Sequence, residues 1–144
     1  MTVLITLLAL IINSSPIKSI YFKGAEYQGR FPCHQALMQL HNKKSDCNRI
    51  KAALRIFDNH KFELDMVYVG DDDNKYKASG KWSVTKGTKT DAVADVYVLE
   101  FENQEGKLYW MKGDNNVLFL LDENKNLVVG DATFGYTFNR VKNL

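Results

Sequence analysis

The stretch "IKAALRIFDNHKFELDMVYV" (Ile50–Val69) decides the fold. Its first part places Ile50, Ala52, Leu54 and Ile56 on one side, with Lys51 and Arg55 on the other. "DNH" (Asp58–His60) then turns the chain, and Phe62, Leu64, Met66 and Tyr68 alternate with Glu63 and Asp65. Period two with polar residues on one side is the pattern of antiparallel strands with one wet face. The stretch therefore predicts a β-hairpin.

The pattern extends outward from this hairpin. "EYQGRF" (Glu26–Phe31) precedes it as a short strand. After it, "YKASGKWSVT" carries Ala78, Gly80, Trp82 and Val84 in phase, and "VADVYVLEF" carries Tyr97, Leu99 and Phe101. "KLYWMK", "VLFLLD", "LVVG" and "YTFNRV" follow, separated by turns rich in Gly, Asp and Asn. Strand after strand with short polar loops leaves no helix long enough for a parallel crossover. The expected fold is all-β: a small antiparallel up-and-down, lipocalin-like barrel, closed so that no edge is exposed. Of the aromatics, Tyr68, Trp82, Tyr97, Phe101, Trp110, Phe119 and Phe138 are expected mostly in the core.

Composition narrows the function. A chain of 144 residues is one domain, and its +2 net charge comes from Lys and Arg scattered among Asp and Glu. No basic cluster tracks a phosphate backbone, so nucleic acid is not an expected partner. No G-x-S-x-G, G-x-x-x-x-G-K-[ST] or G-x-G-x-x-G string occurs, and a carboxylate pair with divergent environments is not evident. "DDDN" (Asp71–Asn74) lacks the spacing of a calcium loop and reads as a hairpin turn, and His60 reads as a solvated turn residue. A non-enzymatic protein is expected.

The N-terminus carries an apolar run from Thr2 to Ile12, then Asn13, Ser14, Ser15 and Pro16. The run is too short to span a bilayer, which takes about 20 residues. It reads as the core of a signal peptide over residues 1–19, with residues 20–144 forming the barrel domain. No cysteine follows the run, so the expected location is the bacterial periplasm or the medium, without a lipid anchor.

Export bears on "FPCHQALMQLHNKKSDC" (Phe31–Cys47), which holds both cysteines. Cys, His and Met are the soft donors that copper prefers. If residues from about His34 to Leu40 form a short helix, His34, Met38 and His41 share one face beside Cys33. The spacing of Cys33 and Cys47 is poor for a two-cysteine chelate, and an oxidising compartment favours a disulfide. The pair is expected to be bonded. A soft-metal site on Cys33, His34, Met38, His41 and Cys47, opened by reduction, is the sharper alternative.

"YQGRFPC" followed by "CNRIKAALRIFDNHKFEL" resembles the N-terminal domain of the NlpE family of copper-resistance lipoproteins. Tyr27, Gly29, Pro32 and Cys33 match the first half of that family's opening motif, and Cys47, Ile50 and Leu54 the second. "GKW" at Gly80–Trp82 and "FLLDENKNLV" at Phe119–Val128 resemble its later strands. The resemblance implies a barrel, an envelope location, and a role in copper resistance or envelope-stress sensing. Here an insertion of about eleven residues separates cysteines that the family places two residues apart, and Arg49 stands where the family has Gly. The second reading, from a different class, is a lipocalin-like module holding a small apolar ligand in the barrel.

Overall fold

The computed structural model describes residues 23–34, 37, 47–70 and 75–144. Its elements are eight strands: β1 (Gly24–Phe31), β2 (Arg49–Phe57), β3 (Lys61–Val69), β4 (Lys75–Lys86), β5 (Asp95–Phe101), β6 (Lys107–Lys112), β7 (Val117–Leu121) and β8 (Thr137–Asn143). Each pairs antiparallel with the next, and β8 returns to β1, closing the barrel. The signal segment, the "DDDN" turn and most of the expected helix over 34–40 lie outside the described residues; of that helix only His34 and Leu37 fall within them.

The β2–β3 hairpin follows the alternation read from its sequence. Ile50, Leu54, Ile56 and Tyr68 have no exposed surface, and Phe62, Leu64 and Met66 are almost as deeply buried. On the outer face, Arg55 donates to Glu63 at 3.0 Å and to Asp65 at 2.7 Å. His60 closes the turn with a positive φ of 61°. Its ring lies 5.1 Å from that of Trp82, whose Nε1 donates to the Phe57 carbonyl.

Inside, Phe31, Phe62, Leu99, Trp110 and Phe138 join these residues in one core. Barrels of about eight strands enclose a space that side chains can fill, and here they do. Gly80 is required by that filling. A Cβ there would sit 1.9 Å from the Glu100 carbonyl oxygen and 2.7 Å from the Phe62 ring.

The structure corrects several details. Leu127–Gly130 form no strand; the segment is tied to β7 by one bridge, Leu121 to Leu127, and leaves Leu127 and Val129 exposed. Val84 is in phase with the core yet half exposed, because the β3 pairing ends at Lys81 and β4 runs on past it. Phe119 is not in the core; it pairs with Met111 and Thr137 and packs over Gly113. Conversely, Val96, Val98 and Leu121 alternate with the interior residues of their strands but are buried. The β4–β5 connection folds back toward that side, where the Lys89 N–H donates to the Lys125 carbonyl.

Burial of phenols gives this core a titration signature. Tyr27 is pushed up to about 12 by desolvation, and burial also raises Tyr68, Tyr76, Tyr97 and Tyr136. Above pH ~10 the unfolded chain releases these protons while the folded chain holds them. Stability must therefore fall as pH rises from ~10 toward 12. Urea midpoints measured across that range should decrease steadily, and a flat profile would contradict the burial of these phenols.

Candidate functional site

The chemistry-bearing residues of the sequence meet at one end of the barrel. β1 carries Phe31 to that end, and Pro32 then leads the chain out to Cys33. The chain returns through Cys47 into β2. Cys33 and Cys47 are disulfide-bonded, with Cα atoms 5.9 Å apart, and pack against the core. The Cys47 sulfur lies 3.4 Å from the Arg49 carbonyl; this is a contact only, since a disulfide sulfur has no proton to donate.

Between the cysteines the chain places Leu37 against the core, with only 1% of its surface exposed. Its carbonyl accepts a 2.9 Å hydrogen bond from the Tyr68 hydroxyl. A buried hydroxyl needs a partner, since leaving one unsatisfied costs about 1–3 kcal/mol. Tyr68 thus fixes the Leu37 backbone, while burial makes its own phenol less acidic.

Around this point the rings interlock. Phe31 lies edge-on to Phe138 at 5.0 Å, with Trp110 at 5.8 Å and Tyr136 at 6.2 Å. The His34 ring meets Tyr136 edge-on at 5.4 Å. Asp122, in the turn after β7, is held below the usual carboxylate range, first by the Asn126 backbone N–H and then by the Asn126 side chain. The His34 charge adds a smaller contribution in the same direction.

Of the five residues proposed as soft-metal donors, the structure brings Cys33 and Cys47 together and sets the His34 ring against Tyr136, while Met38 and His41 lie outside the described residues. In the bonded state the cysteines offer no thiolate, and the thiolate is the form that binds metal. Among the described residues, no three His, Cys, Asp or Glu side chains are grouped so as to hold an ion.

Sequence reasoning missed Tyr68 as the anchor of Leu37. The available signal was a tyrosine on an inward face at a strand end, whose hydroxyl must find a partner. Arg49 was read only as a departure from a motif. Its guanidinium lies 6.0 Å from the centroid of the Phe134 ring, an approach that no sequence pattern announced.

The family model of the NlpE N-terminal domain matches residues 27–131. The chain belongs to the NlpE N-terminal domain family. Its barrel is similar to the crystal structure of a candidate lipoprotein from Shewanella oneidensis, at 20% identity and a TM-score of 0.53, covering 82% of this chain and 88% of that one. It is also similar to the Cpx pathway activator NlpE from Escherichia coli, at 24% identity and a TM-score of 0.52. That alignment covers 83% of this chain and 52% of the other, so this chain spans about half the length of that relative. No curated protein matches the sequence. At these identities the two structures establish a shared fold.

Proposed function

We propose that this chain is a non-enzymatic, exported bacterial envelope protein whose disulfide-closed barrel end serves in envelope-stress sensing. The observation that carries the reading is the Cys33–Cys47 bond at the barrel end, holding a loop whose Leu37 is built into the core. Such a staple forms and persists in oxidising compartments. Membership of the NlpE family and likeness to a Cpx pathway activator support the same direction. The reading includes cleavage of residues 1–19 and a mature chain without lipid. Intact mass of the native protein tests both, and a retained Met1 or an added acyl mass would refute them.

Copper enters this proposal only through the reduced form. Opening the disulfide supplies two thiolates, and His34 follows Cys33 in the chain; thiolate and imidazole are donors suited to a soft ion. The expected outcome of a Cu(I) titration is stoichiometric binding by the reduced chain and none of comparable strength by the oxidised one. Loss of binding in Cys33→Ser/Cys47→Ser, and weakening in His34→Ala/His41→Ala, would assign the donors. Equal affinity in both redox states would remove the cysteines from the site. The second reading, a small apolar ligand in the barrel, is not favoured, because the interior is filled by side chains.

A further inference from the structure

On the outer flank of the barrel, β8, β1 and β2 and the turn before β8 enclose a surface cleft of about 430 Å³. Gln28, Arg30, Lys51, Phe134, Thr137 and Asn139 are among the residues that line it, and no acidic residue does. Arg30 and Lys51 stand directly opposite each other in the β1–β2 register. Like charges in that position oppose strand pairing. Among the described residues neither forms an ion pair, whereas Arg55, Lys77, Lys86, Lys107 and Lys142 all face carboxylates.

One other like-charged pair faces across the described strands, Lys61 opposite Lys81, but carboxylates accompany it: Glu63 and Glu102 line the cleft that Lys61 enters. A third cation adjoins the Arg30–Lys51 cleft. Arg49 precedes Lys51 by two residues, on the same side of β2, and its guanidinium lies by the Phe134 ring that helps to line the cleft. The Arg49 Nε is buried and donates no hydrogen bond. Unbalanced positive charge and hydroxyl and amide groups therefore converge on one concavity, and the unsatisfied Arg49 donor adjoins it at the Phe134 ring.

We propose that this cleft binds a phosphomonoester group. A phosphomonoester carries −1.5 to −2 charge near neutral pH, which matches two or three cations better than a single carboxylate does. The guanidinium fork of Arg30 can take two of its oxygens, and Lys51 supplies a point charge. Thr137 and Asn139 can donate to a third oxygen, and Phe134 offers an apolar wall to whatever carries the phosphate. The site lies on the outer face of the strands that lead into the disulfide-closed end, and it requires no metal.

The test is a titration of the ¹⁵N-labelled full chain with inorganic phosphate at constant ionic strength. Saturating shifts confined to Arg30, Lys51, Phe134, Thr137 and their neighbours are expected. Arg30→Gln/Lys51→Gln should weaken binding at least tenfold while its circular dichroism stays that of the wild type; Lys77→Gln/Lys107→Gln should leave affinity unchanged. Matching shifts with chloride, or wild-type affinity in the first double variant, would overturn the proposal. Glycerol 3-phosphate and phosphatidylcholine vesicles doped with phosphatidic acid then distinguish the sources. Competition by the former marks a soluble phosphomonoester, and retention on the vesicles, lost in the double variant, marks a lipid headgroup. Failure of both, after a phosphate response, would overturn the assignment to a phosphomonoester.

Discussion

The Cys33→Ser/Cys47→Ser variant is expected to unfold about 3 kcal/mol more easily than the wild type. The two cysteines are separated by 14 positions, and in the chain-entropy model closing a loop of that size removes about this much freedom from the unfolded state. Native stabilities of 5–15 kcal/mol make such a loss a large fraction of the total. The structure adds a second contribution. Releasing the staple frees the segment that carries Leu37, so the buried Leu37 contact and its hydrogen bond from Tyr68 must then be held without covalent help. Urea unfolding of the oxidised wild type, the reduced wild type and the double variant measures the effect. The last two should agree with each other and fall below the first. Equal midpoints for all three would show that closure of this loop adds nothing to the fold.

The same residues show how far the sequence could be read. On β2 and β3 the inward set is uninterrupted from Ile50 to Ile56 and from Phe62 to Tyr68, so local alternation alone announces both strands and their buried faces. Alternation fails where burial comes from a distant segment. Nothing local to Val96 or Val98 shows that they will be covered, since the covering depends on how the connections after β4 and β7 fold back. It fails in the opposite sense at Val84, where the periodicity continues but the neighbouring strand has ended. Apolar composition misled at Leu127–Gly130: Asp122 accepts hydrogen bonds from the backbone N–H groups of Asn124 and Asn126, shaping a turn whose apolar sequel stays largely in water.

At the candidate site the legible part was covalent. Two cysteines, an expected export signal and unfavourable chelate spacing pointed to the bond that the structure holds. The hydrogen bond from Tyr68 to the Leu37 carbonyl was not legible, because the two residues are 31 positions apart and only the folded chain brings them together. The Arg30–Lys51 opposition was hidden for a related reason. Each residue reads as an ordinary outward cation on its own strand, and their conflict exists only once the β1–β2 register is known.

Phe31→Ala is expected to have the largest effect of any change considered, a loss of about 3–5 kcal/mol, the usual range for truncating a buried aromatic. Phe31 has no exposed surface, and its ring meets Trp110, Tyr136 and Phe138 while its strand leads directly into Cys33. Removing it leaves a void beneath the disulfide that the surrounding rings cannot fill without leaving their own contacts, because interiors are packed to crystal-like density. The variant also separates two accounts of the barrel. If the interior is filled, the wild type should not enhance the fluorescence of a small apolar dye, whereas Phe31→Ala, kept folded by the intact staple, should bind it weakly in the new void. Should the wild type bind the dye as strongly as the variant, and Phe31→Ala unfold at the same urea concentration as the wild type, the barrel would be a ligand container with Phe31 as a dispensable lining residue. The interlocked rings around Phe31 predict the opposite on both measurements: a steep loss of stability, and a cavity that exists only after the ring has been removed.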